Sequence, residues 1–343
     1  MPDSAQLLRV LITVPFSDDL LDRFRQVSNR IELLLHPAEQ VRDVPDEAWA
    51  SAQVLYTNCV VPEPEQAPQL RWIQAHTAGI DPLWDQPIIQ TADVLLTTAS
   101  GIHAPAVTEY VFTMMLAFAH RLPAMMEQKA RSEWPSGDRS AFMPRLLRGS
   151  TVGIVGYGSV GREIARVAQT FGMDVLAVKR DVRQPAETDS YVLPGHGDPE
   201  GVFFHRLYPP EALVSMVREC DFVVLTVPLT EATRGMVNAG VLEAMKPTAY
   251  LINASRGGVV DDEALAEALQ RRVIAGAASD VFESEPLPSD SPLWKLPNLI
   301  ISPHLAGATV DYREKAAQVF VENLKRYLAR KDLLNLVDRT RGY

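Results

Sequence analysis

The sequence contains only two cysteines among its 343 residues, Cys59 and Cys220, so it offers neither a disulfide framework nor a cysteine metal cluster. This scarcity predicts a reducing, cytoplasmic setting. An excess of basic residues is also missing: the net charge is −10, and we therefore expect no nucleic-acid partner. An anionic small substrate stays compatible with this charge, because a local arginine can outweigh a remote net charge.

Long apolar runs are absent as well. The longest helical apolar segment, YVFTMMLAFA, is about half the length of a membrane span. The segment MPDSAQLLRVLITVPF has no basic leader, and Arg9 interrupts its apolar run, which is not typical of a signal peptide. The sequence also lacks low-complexity tracts and short repeats. Together these absences predict a soluble globular protein without a membrane partner.

The chain is longer than a single hydrophobic core normally supports, so its 343 residues predict two domains. In the first hundred or so residues, short apolar runs alternate with polar helical stretches such as SDDLLDRFRQVS. This alternation predicts a parallel sheet that is covered by helices on both faces. The runs expected to form strands are LLRVLIT, IELLLHP, AQVLYTN, LRWIQAH and DVLLTTA.

A helix is predicted over HAPAVTEYVFTMMLAFAHRLP, because Pro105 suits a first helical turn and apolar residues follow at helical spacing. The methionine-rich stripe of this helix is typical of a core or of a subunit interface. The stripe consists of Val107, Val111, Met114, Met115 and Phe118. A loop rich in Trp, Pro, Ser and Gly is expected at 132–150.

A second alternating block begins at STVGIV and predicts a second α/β unit. Its expected strands and helices run through DFVVLTVP, AYLINAS, DDEALAEALQRR and VIAGAASDVF to LIISPH. Beyond His304, the segment DYREKAAQVFVENLKRYLAR predicts a long amphipathic helix that can pack back on the first unit. Its apolar stripe is Ala317, Phe320, Val321, Leu324 and Leu328.

The motif Gly156-Tyr-Gly158-Ser-Val-Gly161 has the G-x-G-x-x-G spacing of a dinucleotide-binding loop. It follows the strand TVGIV and opens the helix GREIARVAQTFG, and the strand DVLAV comes next. Gly156 would permit the tight turn, Gly158 would let the backbone approach a pyrophosphate, and Gly161 would allow close helix–strand packing. Amides at the helix N-terminus would then bind the phosphates. This context predicts an NAD or NADP site rather than a structural glycine turn.

The end of the strand DVLAV bears on the choice between NAD and NADP. NAD sites usually place Asp or Glu there to bind the ribose 2′-hydroxyl. This chain has Lys179 and Arg180, with Arg183 just after them and Asp181 two residues late. Two cations would attract a 2′-phosphate, so we expect NADP in preference to NAD. The alternative is an ordinary solvated pair of surface cations.

Chemically useful side chains follow several strands of the second block: Arg256, Asp280, Glu285 and His304. Ligands of open α/β sheets bind at the carboxyl ends of strands. A hydride-transfer enzyme would therefore place three groups there: a cation for the substrate, a proton donor, and a group that adjusts the pKa of the donor. Taken alone, His304 is more typical of a hydrogen-bonded histidine at a strand end than of an acid/base group.

The sequence resembles the D-isomer-specific 2-hydroxyacid dehydrogenase family over nearly its whole length. The matching motifs follow the order of the family: TVGIVGYGSVG, LTVPLTEATRGMVN, LINASRGGVVDDEAL, GAASDVFESEPLP and SPHLAGAT. The intervals agree as well, with 29 residues from Arg256 to Glu285 and 19 from Glu285 to His304. The resemblance implies an NAD(P)-dependent dehydrogenase whose Rossmann dinucleotide-binding domain is inserted into a flavodoxin-like substrate domain.

The resemblance also implies roles for the four side chains. Arg256 would bind the substrate carboxylate and keto oxygen, which suits a planar guanidinium. His304 would protonate the keto oxygen during reduction to the D-2-hydroxy acid and act as base in the reverse direction. Glu285 would hydrogen-bond the imidazole, and a glutamate here argues against the formate dehydrogenase branch. Asp280 would face the nicotinamide carboxamide.

In the first domain, the resemblance assigns AHTAGID to a substrate loop. Thr77, Ala78 and Gly79 would offer backbone amides to the carboxylate, and Ser100 would lie near the cleft. Further expected cofactor contacts, besides the three motif glycines, Asp280 and His304, are Ser159, Val160, Lys179, Arg180, Val227, Pro228, Thr233, Ala254, Ser255 and Gly307.

The implied domain boundaries place the substrate-binding domain at 1–103 and 305–343 and the NAD(P)-binding domain at 104–304. By analogy we expect a homodimer through the Rossmann domain, with VTEYVFTMMLAFAHRL as the contact helix. Trp134 resembles a tryptophan that some members extend to a neighbouring subunit, and it is equally typical of a core or loop residue.

The segment 184–209 is longer than the compact pattern of the family and predicts an ordered surface loop near the adenosine end. Its His196 and His205 lack the usual metal-ligand spacings, so no metal site is expected. The stretch YTNCVV lacks the arginines that hold a phosphate in phosphoglycerate-type members, which disfavours a phosphorylated substrate. Glyoxylate, hydroxypyruvate, pyruvate and bulkier 2-keto acids all remain, with Tyr56 and Trp84 as candidates to shape the pocket.

A different class of function stays open beside the enzyme. Some relatives of this fold are dinucleotide-sensing co-repressors without efficient turnover. The complete set of Arg256, Glu285 and His304 favours the dehydrogenase.

Overall fold

The computed structural model describes residues 7–187 and 190–342, and this part of the chain divides into two compact units. The first unit is formed by the chain up to Ile102 and from Thr309 onward, together with the short segment at Ser190 and Tyr191. The second unit comprises the described chain from His103 to Glu187 and from Val192 to Ala308. The first unit therefore draws on both ends of the described chain.

A parallel sheet forms the centre of the first unit. Within the described residues its strands are β1 (Leu8–Ile12), β2 (Ile31–Leu35), β3 (Val54–Thr57), β4 (Trp72–Ala75) and β5 (Leu95–Thr97). They pair in the order β2-β1-β3-β4-β5, which is the flavodoxin-like order 2-1-3-4-5.

Helices cover both faces of this sheet. They are α1 (Asp18–Gln26), α2 (Asp46–Ser51) and α9 (Tyr312–Leu328), numbered along the whole chain. Phe24 of α1 and Phe320 of α9 meet edge to face, with ring centroids 5.1 Å apart, while Trp49 of α2 is buried in the core of the opposite face. Successive residues of β1 alternate between the two cores, as the pleat of a buried strand requires.

The second unit contains a larger parallel sheet. Its strands in the described chain are β6 (Thr151–Val155), β7 (Asp174–Val178), β8 (Arg206–Tyr208), β9 (Phe222–Leu225), β10 (Tyr250–Asn253), β11 (Gly276–Ser279) and β12 (Leu299–Ile301). They pair in the order β12-β11-β10-β9-β6-β7-β8. Counted from β6, this is the Rossmann order 3-2-1-4-5-6, with one further strand at the edge.

The helices of the second unit also cover both faces of its sheet. They are α3 (Ala104–Ala119), α4 (Leu122–Ala130), α5 (Ser159–Phe171), α6 (Leu213–Val217), α7 (Ala239–Ala244) and α8 (Asp262–Gln270). On one face Phe112 of α3 stacks on Phe171 of α5 at 5.1 Å, and the core of the other face includes Leu265 of α8. Among the residues that the structure describes, no helix has both the length and the apolar character to cross a membrane.

The predicted fold class, with two α/β domains on parallel sheets, is confirmed by these two units. The predicted stripe of α3 belongs to the core of its own unit, where Val107, Val111, Met115 and Phe118 are buried. Helix α4 and strand β8 are among the elements that were not predicted. Helix α4 is separated from α3 by Arg121, whose φ is 58°, and β8 lies inside the segment expected to be a surface loop.

Candidate active site

The glycine loop lies between the carboxyl end of β6 and the first turn of α5. Gly156 has a φ of 107°, and a Cβ there would lie 3.1 Å from the carbonyl carbon of Thr226. A Cβ on Gly161 would lie 2.1 Å from the Gly156 oxygen, so the helix and loop need a glycine there to pack closely. A Cβ on Gly158 would meet no atom of the described chain within 4 Å. The space over Gly158 is therefore not filled by the described part of the chain, and it suits the pyrophosphate of a dinucleotide.

The loop after β9 borders the glycine loop. A Cβ on Gly156 would lie 3.0 Å from Cγ1 of Val227, so these predicted cofactor residues are neighbours. The hydroxyl of Thr233 donates to the Pro228 carbonyl at 2.7 Å and accepts from the Thr230 amide at 2.8 Å. The Thr233 side chain therefore fixes the shape of its own loop.

Ser159 and Val160 form the first turn of α5, and both are half-buried. Gly158 is the N-cap residue of this helix, and a glycine has no side chain that could cap the helix. Amide groups of an uncapped first turn are suited to an anionic ligand.

Lys179 and Arg180 come directly after β7, as the sequence indicates. The Lys179 amide donates to the Tyr208 carbonyl at 3.0 Å, which ties the strand end to β8. Lys179 is half-buried and Arg180 is exposed. Burial lowers the pKa of the Lys179 ammonium, and the nearby Glu187 carboxylate opposes this shift.

His304 presents an imidazole that is bonded to a carboxylate. Its Nδ1 lies 2.7 Å from Oε2 of Glu285, and the two side chains are 49% and 35% exposed. The other carboxylate oxygen, Oε1, accepts from the Phe282 amide at 2.9 Å, which fixes the orientation of the glutamate. With Nδ1 engaged by the carboxylate, Nε2 is the ring nitrogen that can exchange a proton with a ligand.

The backbone around His304 is held by Asp280, which is only 2% exposed. One carboxylate oxygen accepts from the Ser302 hydroxyl at 2.6 Å and the Leu305 amide at 2.9 Å, and the other accepts from the Ala306 amide at 2.7 Å. His304 itself has a φ of 55°, and its amide donates to the Asp280 carbonyl at 2.8 Å. Asp280 therefore orders the turn that carries the imidazole.

Arg256 lies in a turn that is in contact with the segment carrying Glu285. Its Nη1 donates to the Ser255 carbonyl at 2.8 Å. A Cβ on Gly257 would lie 1.8 Å from the Phe282 oxygen, so the two backbones touch. Only glycine fits at this point of contact between the two loops.

The register of the sheet explains why the loops that carry these residues lie at one edge. Asn253 pairs with Ser279, and Ser279 pairs with Ile301, so β10, β11 and β12 end at the same level. Neighbouring strands lie about 4.8 Å apart. The loops with Arg256, Asp280, Glu285 and His304 consequently leave one edge of the sheet, as the sequence predicts for a ligand site.

The other predicted residues of the second unit lie along this edge. The Ala254 amide donates to the Leu225 carbonyl at 3.3 Å, and the Ser255 hydroxyl donates to Oδ1 of Asn253 at 2.6 Å. A Cβ on Gly307 would lie 2.9 Å from the ring of His103, so the imidazole of His103 packs on this glycine.

The predicted substrate loop belongs to the first unit, where it follows β4. The Thr77 hydroxyl donates to the Gly79 carbonyl at 2.7 Å, and the Thr77 carbonyl accepts from the Ala99 amide at 3.0 Å. The structure thus brings Thr77, Ala78 and Gly79 next to the segment that contains Ser100.

A second histidine, His76, lies within this loop directly before Thr77 and was not singled out from the sequence. Its Nδ1 is 2.7 Å from the Tyr56 hydroxyl, and its carbonyl accepts from the Tyr312 hydroxyl at 2.9 Å. Burial, together with the charge of Arg313, lowers the pKa of His76 to about 4, so the ring is neutral at pH 7.

The position of Tyr56 corrects one expectation. The sequence offers Tyr56 as a wall of the substrate pocket, but its side chain is 0% exposed and packs edge to face on Phe16 at 5.1 Å. Its hydroxyl supports His76 instead. Trp84, the other candidate, is half-buried.

The structure also places the residues weighed as metal ligands. Nδ1 of His205 accepts from the Val175 amide at 3.0 Å, and its Nε2 lies 3.2 Å from Asp174. Across residues 7–187 and 190–342, no group of three or more His, Cys, Asp or Glu side chains is arranged to hold a metal ion.

Comparison with known proteins bears on this arrangement. The sequence profile of the D-isomer specific 2-hydroxyacid dehydrogenase NAD binding domain matches residues 112–306. The chain is 34% identical to the (S)-sulfolactate dehydrogenase of Chromohalobacter salexigens over 261 residues, which cover 76% of this chain and 78% of the relative. It is 35% identical to a glyoxylate reductase of Korarchaeum cryptofilum over 265 residues, with 76% and 74% covered.

Solved structures agree with the sequence comparison. The crystal structure of a D-isomer specific 2-hydroxyacid dehydrogenase from Xanthobacter autotrophicus Py2, in complex with NADPH and MES, superposes with a TM-score of 0.78. The two chains are 28% identical, and the match covers 98% of this chain and 100% of the other. This protein therefore belongs to the D-isomer specific 2-hydroxyacid dehydrogenase family, and it is an NAD(P)-dependent enzyme that acts on the CH–OH group of hydroxy acids.

Proposed function

We propose that this protein reduces a small 2-keto acid to the D-2-hydroxy acid, with NADPH as the preferred hydride donor. The observation that carries the proposal is the His304–Glu285 pair, 2.7 Å apart, on the sheet edge that also bears Arg256. A half-exposed imidazole with a carboxylate on one nitrogen is suited to donate a proton from the other. The dinucleotide supplies the hydride when it is bound.

The proposed proton donor is Nε2 of His304. Glu285 orients the ring through Nδ1 and stabilises the imidazolium before the proton leaves. In the reverse direction the same nitrogen accepts the proton of the hydroxyl group. The Phe282 amide donates to Oε1 of Glu285 at 2.9 Å and keeps the carboxylate in place in both directions of the reaction.

Arg256 is the proposed binding residue for the substrate. Its guanidinium can donate two parallel hydrogen bonds to a carboxylate, and it can polarise the keto oxygen beside it. We further propose that backbone amides of Thr77, Ala78 and Gly79 bind the substrate carboxylate and that Ser100 contributes to the same step, as the family resemblance implies.

The proposed dinucleotide site belongs to the second unit, predicted as 104–304, and the proposed substrate domain is 1–103 with 305–343. The open space over Gly158 supports a pyrophosphate at the start of α5. Asp280, which orders the His304 turn, is proposed to meet the nicotinamide carboxamide. The other proposed contacts are Gly156, Ser159, Val160, Gly161, Val227, Pro228, Thr233, Ala254, Ser255 and Gly307.

The preference for NADPH rests on Lys179 and Arg180. Both follow β7 at the position where the ribose of a bound dinucleotide meets the protein, and neither is an acid. The two cations favour a 2′-phosphate over a 2′-hydroxyl. NADH is the alternative donor.

The substrate class is tested by assaying glyoxylate, hydroxypyruvate, pyruvate and a bulkier 2-keto acid with NADPH and with NADH. We expect oxidation of the cofactor with at least one small 2-keto acid and a lower KM for NADPH than for NADH. For the substrates larger than glyoxylate, whose products are chiral, chiral chromatography should give the D-isomer. Retained cofactor binding without oxidation by any of the acids would instead favour a dinucleotide-sensing co-repressor.

We also propose a homodimer that forms through the second unit. The predicted contact helix α3 uses its apolar stripe in its own core, and six of the exposed apolar side chains lie in the segment that follows it. They are Leu122, Met125, Met126, Trp134, Met143 and Leu146, each at least 44% exposed. Exposed apolar patches of this kind mark interaction surfaces. Light scattering should give twice the chain mass of 37.9 kDa, and a monomeric mass would contradict the dimer.

A cytoplasmic setting is proposed on the basis of cysteine chemistry. Cys59 is an exposed free thiol and Cys220 is a buried one. Free thiols persist where the environment is reducing.

A further inference from the structure

Two stretches of the segment 184–209, residues 184–187 and 192–209, are attached to the second unit, and a buried carboxylate joins the latter to the glycine loop. Asp198 is 2% exposed and accepts from the Tyr157 hydroxyl at 2.6 Å. It also accepts from the amides of Val202 and Phe203, both at 2.9 Å. Since Tyr157 stands between the first two glycines of the motif, the segment is fixed directly against the proposed dinucleotide loop.

Arg162, on the first turn of α5, holds two further points of the same segment. Its side chain is 2% exposed; Nη1 donates to the Asp198 carbonyl, and Nη2 donates to the Pro185 carbonyl at 2.6 Å. The guanidinium lies 4.8 Å from the centre of the Tyr157 ring. Buried charged groups with this many hydrogen bonds hold a defined geometry.

This anchoring determines where Glu187 lies. Its Oε2 is 3.9 Å from Nη2 of Arg162, its amide donates to the Pro199 carbonyl at 2.9 Å, and its side chain is 28% exposed. Its charge also acts on the Lys179 ammonium, since Glu187 raises the pKa of Lys179 that burial lowers. The segment therefore adds a second acid, besides Asp181, to the charges that act on the Lys179 ammonium.

We propose that Glu187 is a specificity-determining residue, which competes with the 2′-phosphate of NADPH for Lys179 and thereby limits the preference for NADPH over NADH. This inference rests on the proposed dinucleotide site. A 2′-phosphate carries a charge of about −2, so a fixed carboxylate beside its cation weakens its binding. A 2′-hydroxyl carries no charge and is not opposed in this way.

The test uses the full-length protein with two fragments of the cofactor, 2′,5′-ADP and 5′-AMP, titrated by calorimetry. Glu187→Gln is expected to tighten 2′,5′-ADP by about fivefold or more while 5′-AMP changes by less than about twofold, since a close charge pair at a partly exposed site contributes about 1 kcal/mol. Glu200→Gln removes the same charge from an exposed position of the same segment and should leave both affinities unchanged.

A second variant tests whether Glu187 acts through Lys179. In a Lys179→Met background, the effect of Glu187→Gln on 2′,5′-ADP should shrink to less than about twofold, as expected for two coupled residues. The effect should also decline as the salt concentration rises. Thermal unfolding monitored by circular dichroism confirms that each variant is folded.

An unchanged ratio of the affinities for 2′,5′-ADP and 5′-AMP in Glu187→Gln would overturn the inference. The same would follow if Glu200→Gln tightened 2′,5′-ADP equally. It would also follow if Glu187→Gln tightened 2′,5′-ADP to the same extent in the Lys179→Met background. Failure of the proposed function looks different. In that case the unaltered protein would bind neither nucleotide fragment, or it would bind both and oxidise no reduced cofactor with a 2-keto acid.

Discussion

His304 and His76 occupy similar positions in two different sheets. His304 follows β12 in the second unit, and His76 directly follows β4 in the first. The His304 ring lies 2.7 Å from a carboxylate oxygen of Glu285, and its side chain is 49% exposed. His76 bonds the Tyr56 hydroxyl at the same distance among aromatic rings, and burial lowers its pKa to about 4.

The difference shows that the partner and the burial decide the role, because the residue type and the position at a strand end are shared. An anionic partner stabilises an imidazolium, whereas a neutral hydroxyl and apolar rings stabilise the uncharged ring. The proposed proton donor is therefore the imidazole with the carboxylate partner, while His76 helps to support the first unit.

The largest expected effect separates the two histidines by activity. His304→Gln should lower kcat by at least about a hundredfold, because general-acid catalysis of the keto oxygen is lost. His205→Gln is the matched control, since His205 is also a half-exposed histidine beside a carboxylate. Steady-state kinetics with 2-keto acids measure both, and a kcat within tenfold of the unaltered enzyme for His304→Gln would contradict its role.

A smaller effect separates them by stability. His76 takes up a proton at about pH 4 in the folded chain and at about 6.5 when unfolded, so the unfolded state binds more protons between these values. The contribution of His76 to the free energy of unfolding is complete above pH 6.5. As the pH falls to 4 this contribution is lost, which lowers the free energy of unfolding by at most about 3 kcal/mol. Urea titrations across this range should show a shallower pH dependence for His76→Gln. The same change of the free energy of unfolding with pH in both proteins would refute the lowered pKa of His76.

The smallest of the three effects concerns the partner of His304. Glu285→Gln should reduce kcat by about tenfold, because a charged hydrogen bond is replaced by a neutral one that is about 1–1.5 kcal/mol weaker. The dissociation constant of NADPH should stay unchanged, which distinguishes a positioning role from damage to the cofactor site. Equal losses in kcat and in NADPH binding would point to a structural defect instead.

Much of the fold was predictable because its signals are local. Alternating runs such as LRWIQAH become strands, and the glycine spacing after TVGIV places the start of α5. That the loops carrying Arg256 and His304 leave the sheet at one edge followed from the rule for parallel strands. The roles of these residues came from the resemblance to a family, not from the pattern alone.

Other features depend on contacts between distant residues and have no local signal. The bond between Tyr157 and Asp198 spans 41 positions, and Arg162 reaches Pro185 across 23. Nothing in the sequence around Asp198 indicates a buried acid. The short strand β8 was missed for the same reason, because its pairing with β7 is what stabilises it.

The contact between Gly257 and the Phe282 oxygen links the arginine turn to the loop of the glutamate. In the proposed mechanism, substrate anchoring by Arg256 and proton delivery by His304 are therefore coupled through the backbone, since a shift of one loop displaces the other. A larger side chain at Gly257 should impair both proposed functions together.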